Sequence, residues 1–240
     1  MEQLLMKKTS SELKSMAKEL LIGHYGLAIG AAILINSLSS VFGSILNIFF
    51  PEGDTFTYIL LSIAVIILKL LFSLFTAGIT KIFLNISHQQ KASLNDLFYA
   101  FSHRPDKVII INFLLGLLGL VCMLPSIVLF VAGYILDDFL FLSLGGLLCV
   151  VGIVAIIILT LNYSQVFFLY LDHPETDCLT LLRESRRLMN GNKRRYFYLL
   201  FSFTGLILLG TMSYSIGLLW VTPYMGVTEA LFYRNLIGEI

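Results

Sequence analysis

Residues 63 to 75 read IAVIILKLLFSLF, apolar on both sides of one positive charge at Lys69. The apolar run around it extends from about residue 57 to 84, longer than the roughly 20 residues a helix needs to cross a hydrocarbon core about 30 Å thick. Similar runs fall at 25–50, 108–136, 139–171, 196–214 and 217–236. Across the chain 58% of residues are hydrophobic and 13% charged, whereas a soluble domain covers its surface with about 25% charged residues. The sequence therefore predicts an all-α, polytopic membrane helical bundle of about six transmembrane helices, a single integral membrane domain over 1–240. TMSYSIG at 211–217 is a soft break and Pro223 interrupts the last run, which leaves a count of five open.

Charge placement gives an independent prediction, because Lys and Arg stay near cytoplasmic helix ends. With six spans every basic residue except Lys69 falls on one side, from Lys7, Lys8, Lys14 and Lys18 through Lys81, Lys91, Arg104 and Lys107 to the cluster Arg183–Arg195 and Arg234. The opposite turns, PEGDT at 51–55 and Asp137-Asp138, carry none. Both termini are thus expected in the cytoplasm of a multi-pass cell-membrane protein. No short apolar run with a small-residue cleavage site precedes the first span, which is expected to act as the insertion signal.

Three polar-apolar segments precede pairs of spans. TSSELKSMAKELLIG from Thr9 aligns Leu13, Met16, Ala17, Leu20 and Leu21, with a Thr9/Glu12 capping box and Gly23 as its end. SLNDLFYAFSHRP repeats the cap with Ser93 and Asp96, aligns Leu94, Leu97, Phe98 and Phe101, and places Pro105 as a stop. The third, DHPETDCLTLLRESRRLMNG, aligns Cys178, Leu181, Leu182, Leu188 and Met189 from a start at Asp172 or Thr176 and ends at Gly191. Three interfacial amphipathic helices at the cytoplasmic surface, each followed by a transmembrane hairpin, form expected repeat units 9–86, 93–171 and 172–237.

SELKSMAKELLIGHYG near the start, LLRESRRLMNGNKRRYFYLLFSF in the third unit and LLWVTPYMGVTEALFYRNL at the end resemble the bacterial integral membrane proteins grouped as domain-of-unknown-function family nine hundred and seventy-five. The resemblance spans most of the chain. It rests on Leu13, Lys14, Ala17 and Gly23, then Ser185, Met189 and Gly191, then Pro223, Tyr224, Phe232 and Tyr233. It implies a multi-pass protein of a bacterial cytoplasmic membrane and supplies no reaction or substrate.

Two candidate sites follow. A central lysine costs roughly 2.5 to 3.5 kcal/mol on insertion scales, so Lys69 is expected to have a polar partner. Glu229 is the acidic residue well inside another predicted span, and Asn162 and Tyr224 are candidate neighbours, with Asn36, Ser73 and Gln165. A structural brace and an ion or proton pathway both fit that pair. The second site comprises Lys14, Lys18, Arg183, Arg186, Arg187, Lys193, Arg194 and Arg195, expected to contact anionic lipid or a membrane-protein partner.

Pro125 and Pro223 inside spans, and Gly116, Gly119, Gly145 and Gly146, are expected to serve helix packing. GLAIG at 26–30 has the spacing for close helix association, within the chain or in a homo-oligomer. His24, His88, His103 and His173 lack metal-ligand spacing, and Cys122, Cys149 and Cys178 lack CxxC spacing. Phosphate-loop, dinucleotide and nucleophile-elbow motifs are missing as well. A net charge of +1 gives no field for nucleic acid. The expectation is a non-enzymatic organiser or accessory protein without cofactor, engaging anionic lipid or a partner through its basic elbows. The alternative is a small permease or exporter built around Lys69 and Glu229.

Overall fold

The computed structural model describes residues 8–50 and 54–240. Lys7 and the first three residues of the PEGDT turn lie outside them, so that part of the charge pattern is not addressed. Every regular element described is helical. Helix α1 (Ser10–Leu21) leads into α2 (Tyr25–Phe49) and α3 (Thr55–Ser87). A 3-10 turn (Leu94–Phe98) and short α4 (Tyr99–Ser102) precede α5 (Pro105–Leu136), α6 (Phe139–Tyr163) and α7 (Val166–Asp172). Then come α8 (Cys178–Met189), α9 (Lys193–Phe201), α10 (Thr204–Met212) and α11 (Leu218–Ile237).

Five helical stretches are long and apolar enough to cross a membrane: Tyr25–Phe49, Thr55–Ser87, Pro105–Leu136, Phe139–Asp172 and Lys193–Met212. The sixth expected span does form a helix, α11, but Glu229, Arg234 and Asn235 in its second half hold its apolarity below the others. It packs on α1, α2, α3 and α10. Arg195 donates to the Lys8 carbonyl and to Asn235, Arg234 donates to the Ser87 carbonyl, and Asn235 donates to Ile240. Residues 8 and 240 therefore sit at one end of the molecule, beside the end of α3.

Burial is concentrated at that end. Leu13, Leu21, Ile82, Leu97, Val108, Ile111, Leu199 and Leu231 are fully enclosed. At the other end Ile48 is 76% exposed, Phe139 82% and Tyr214 95%. Large apolar side chains so exposed on several hairpins at once are stable against lipid tails and not against water.

The turns that start the elbows are set by local chemistry. Thr9 and Glu12 form the expected capping box, as do Ser93 and Asp96. The third cap is Asp177, which accepts from the Leu179 N–H, and not Asp172 or Thr176. A carboxylate in the residue just before Cys178 reaches the first free N–H groups, whereas Asp172 still belongs to α7. Thr9 to Ser93 and Ser93 to Asp177 are each 84 residues. Each elbow also exits through a left-handed residue, Gly23 and Gly191 at the same distance from their caps with φ of 86° and 77°, and Arg104 three residues earlier in its unit with φ 53°. Pro105 is the first residue of α5 and not a stop, since its missing N–H costs nothing in a first turn. The second elbow is a 3-10 turn plus four helical residues in place of one amphipathic helix, with Phe98 and Phe101 against Phe75.

The elbows dock on protein. Helix α1 packs its Leu13, Ala17 and Leu21 face against α11, the 3-10 turn packs on α3, and α8 packs on α6 and α7. The face expected to enter lipid is thus already covered by the chain. Helices α3, α7 and α11 meet centrally, where the Phe168 and Tyr233 rings stack at 5.2 Å. Gly226 permits the α11–α3 approach, since a Cβ there would overlap the Phe83 ring, and Gly78 seats the 3-10 turn on α3, where a Cβ would overlap the Leu97 backbone. In the α5–α6 hairpin Gly145 lies against Phe130 as expected, with Gly133 and Gly152 also at contacts, while Gly116, Gly119 and Gly146 face open space. Gly26 and Gly30 also face open space, so among the described residues neither glycine of GLAIG makes a close helix contact, while Ala28 between them is buried.

Candidate anion-binding cleft

Helical spacing sends Leu181, Leu182, Ser185 and Met189 of α8 into the core. The opposite face is left with Arg183, Arg186 and Arg187, all exposed. Asn190 follows, and the left-handed turn at Gly191 brings Lys193 back toward them. Together Arg183, Arg186, Arg187, Asn190 and Lys193 line a cleft of about 440 Å³. Arg187 reaches Glu184 at 3.6 Å. Among the described residues, Arg183, Arg186, Lys193 and Arg194 make no ion pair and no side-chain hydrogen bond.

Arg194 is exposed and does not line the cleft, and the remaining predicted cationic contacts, Lys14, Lys18 and Arg195, are occupied. Lys14 donates to the Ser202 carbonyl at 3.1 Å and its hydroxyl at 3.0 Å, and lies 4.3 Å from the Phe203 ring centroid. It thereby satisfies the chain where α9 breaks before α10. Burial, and then the nearby Lys18 charge, pull the Lys14 ammonium below its ordinary value. Lys18 sits over the Tyr224 ring at 5.7 Å. Arg195 is consumed by Lys8, Asn235 and the Phe232 ring. Arg183, Arg186, Arg187 and Lys193 share the cleft; Lys14, Lys18 and Arg195 act within the fold.

The intramembrane set is not one site. Lys69 is exposed on α3. Glu229 instead lies on α11, half-buried, near Tyr196 of α9. The described ion pairs are His88–Glu239, Arg104–Glu175, Arg187–Glu184 and Arg234–Glu239, so Lys69 and Glu229 are not paired. Asn162 is buried and donates to its own helix at Ile158, 2.8 Å, while its Oδ1 has no partner. Tyr224 is buried against Phe203. Asn36 and Ser73 also bond back to their own helices, at Ala32 and Leu70.

Sequence reasoning missed Lys107. It is 7% exposed and donates to the carbonyls of Pro174 at 2.6 Å and Thr176 at 3.0 Å, fastening the loop before α8 onto α5. No sequence signal pointed to it, since its partners are backbone. Arg104–Glu175 at 2.7 Å fastens the same loop. Of the histidines, His88 meets Glu239 at 2.9 Å, His103 stacks on Tyr99, and His24 faces the Leu20 carbonyl. Among the described residues no group of three or more His, Cys, Asp or Glu could hold a metal ion.

A second groove adjoins the basic cleft. Leu114, Leu117 and Leu118 of α5, Tyr163 of α6, and Leu179 and Leu182 of α8 line a cavity of about 390 Å³ whose rim is again Arg183 and Arg186.

These features define a helical protein with several membrane-length helices, packed at one end and carrying a cationic cleft there. More particularly, the chain belongs to the family described as Protein of unknown function (DUF975), whose model matches residues 1–239. No curated protein and no solved structure matches it.

Proposed function

We propose that this protein is a non-enzymatic membrane organiser that holds anionic groups, of lipid or of an acidic membrane partner, in the cleft of its third elbow. It crosses the cytoplasmic membrane six times, α11 included, with both termini and the cleft on the cytoplasmic side. Its three elbow-plus-hairpin units form a ring, each elbow docked on the later helix of the preceding hairpin. The equal cap spacing and the left-handed exits support the three units, and the shared location of both described chain ends supports an even number of crossings.

One observation carries the functional reading. Lys14, Lys81, Arg104, Lys107, Arg195 and Arg234 are each tied to a carbonyl, a carboxylate or an aromatic face. Among the described residues, Arg183, Arg186 and Lys193 share a cleft and make no ion pair or side-chain hydrogen bond. Clustered cations repel one another, and with Glu184 meeting only Arg187 of the cleft, the other three favour an external anion. The permease alternative draws on a joined Lys69 and Glu229; with the two not ion-paired among the described residues its support is weaker.

The test is the lipid composition retained by purified protein after reconstitution in mixed phosphatidylglycerol and phosphatidylcholine bilayers. Replacing Arg183, Arg186 and Lys193 by Gln should abolish enrichment of the anionic lipid, or the salt-sensitive binding of an acidic partner, while insertion stays normal. Equal enrichment in the variant and the wild type overturns the proposal.

A further inference from the structure

The cleft and the groove share two residues, Arg183 and Arg186, and this shared rim narrows the occupant. We infer that Arg183 and Arg186 bind the phosphate of one anionic glycerophospholipid whose acyl chain lies in the groove between α5, α6 and α8. The inference rests on the organiser reading above and makes it specific: a discrete lipid in a built site, in place of general attraction to an anionic surface.

The first support is chemical. Guanidinium groups present planar forks that match phosphate oxygens, and two of them at one rim can hold a phosphodiester from two sides. Lys193 and Asn190 on the far wall offer a point charge and an amide to the rest of a polar headgroup. The second support is the groove itself. Its lining is leucine apart from Tyr163 and the rim, and Leu117, Leu118 and Leu179 are 46%, 38% and 61% exposed. An apolar channel that opens at a phosphate-binding rim has the division of chemistry found in a phospholipid: charge at the membrane surface, hydrocarbon beneath. An acidic protein segment would match the cleft and leave the leucines uncovered.

The third support comes from comparing the elbows. Stepping back 84 residues from Arg183, Arg186 and Arg187 gives Tyr99, Ser102 and His103; stepping back again gives Ser15, Lys18 and Glu19. Leu181 corresponds in the same way to Leu97 and Leu13, and all three leucines are buried. The core position is thus kept in every elbow, while the arginine face occurs in one. Two elbows dock without such a face, so docking does not require it. The arginines therefore serve something other than architecture.

The energetic roles of the two regions differ. A tail moving from the bilayer into a leucine-lined groove changes one hydrocarbon environment for another, so the groove contributes registration and shape. Discrimination between headgroups comes from the arginines. Replacing both by Gln is expected to lower retention of the anionic lipid about thirtyfold.

The experiment uses the full chain, reconstituted with equal phosphatidylglycerol and phosphatidylcholine, released from the bilayer and observed by native mass spectrometry. The expected result is a single phosphatidylglycerol adduct, diminished about thirtyfold in Arg183→Gln/Arg186→Gln. Leu117→Trp fills the groove at an exposed position with the arginines intact, and is expected to diminish the adduct about tenfold. Glycerol phosphate, a headgroup without tails, is expected to displace the lipid poorly and to bind the wild type and Leu117→Trp alike. Retention of lipid enrichment without a discrete adduct, or an adduct indifferent to Leu117→Trp, overturns the groove assignment and leaves the organiser proposal standing. An adduct of phosphatidylcholine as strong as that of phosphatidylglycerol, or one indifferent to the arginine variant, overturns this inference. Binding of an acidic peptide that excludes the lipid and ignores Leu117→Trp does so as well. Failure of both inference and organiser proposal is marked by loss of anionic enrichment in the wild type itself.

Discussion

Two lysines of the same chain are expected to respond in opposite ways to one substitution. Lys107→Met keeps an unbranched apolar stem and removes the ammonium that joins the Pro174 and Thr176 carbonyls to α5. Hydrogen bonds from a charged donor contribute about 1.5–3 kcal/mol each, and part of that is returned because the buried charge no longer has to be desolvated. A net loss of about 2–3 kcal/mol follows, or about 30- to 150-fold in opening of the loop that precedes α8. Lys69→Met removes an exposed charge with no partner among the described residues, and is expected to change folded stability by less than about 0.5 kcal/mol while easing insertion by up to about 2.5–3.5 kcal/mol. Cys178 supplies the assay, since it is buried and its thiol lies 3.9 Å from the Lys107 carbonyl. With Cys122 and Cys149 replaced by Ala, the rate of maleimide labelling in detergent reports opening at that point. Lys107→Met should accelerate labelling and Lys69→Met should not. Equal rates for Lys107→Met and the parent, or equal acceleration by both variants, would refute this account of which lysine the fold depends on.

Gly78→Ala places a methyl group where the Leu97 backbone lies and is expected to cost about 1–3 kcal/mol, visible as a lower thermal midpoint; an unchanged midpoint would mean the 3-10 turn is not seated on α3. At the C-terminus, burial raises the Glu239 carboxyl, but hydrogen bonds from Arg234 and His88 outweigh it and hold the group below its ordinary value. Such a carboxylate stabilises the folded state above the unfolded glutamate range near about 4.3, and that stabilisation is lost as pH falls through the lower folded value. A spin label at residue 240 should therefore be immobile at neutral pH and gain mobility in acid below that range, and Glu239→Gln should show the mobile signal at neutral pH; a label unaffected by either change would dissociate the tether from Glu239.

Much of this architecture could be read locally. The Thr9 and Ser93 boxes, the turns at Gly23 and Gly191, and the polar face of α8 each depend on residues within a few positions of one another. Asp177 was overlooked because Asp172 and Thr176 offer the same cap chemistry nearby, and only the end of α7 decides among them. The breaks at Ser164–Gln165 and Ser202–Phe203 lie inside apolar runs, and Lys14 fixes the second of them from 188 residues away. The Lys69–Glu229 pairing is unreadable for a related reason: insertion cost does not say which face of α3 the charge occupies. For the cleft, the arginines were visible as a cluster, but their freedom from partners emerges only when the ties of Lys14, Lys107 and Arg195 are seen.

The seating of α1 on α11 has a temporal meaning. Among the described elements α1 is made well before α11, the helix that covers its apolar face, so Leu13, Ala17 and Leu21 exist before their cover does. Before α11 is in place, the stripe has no cover from that helix, and its burial reports that the two distant ends of the described fold have met.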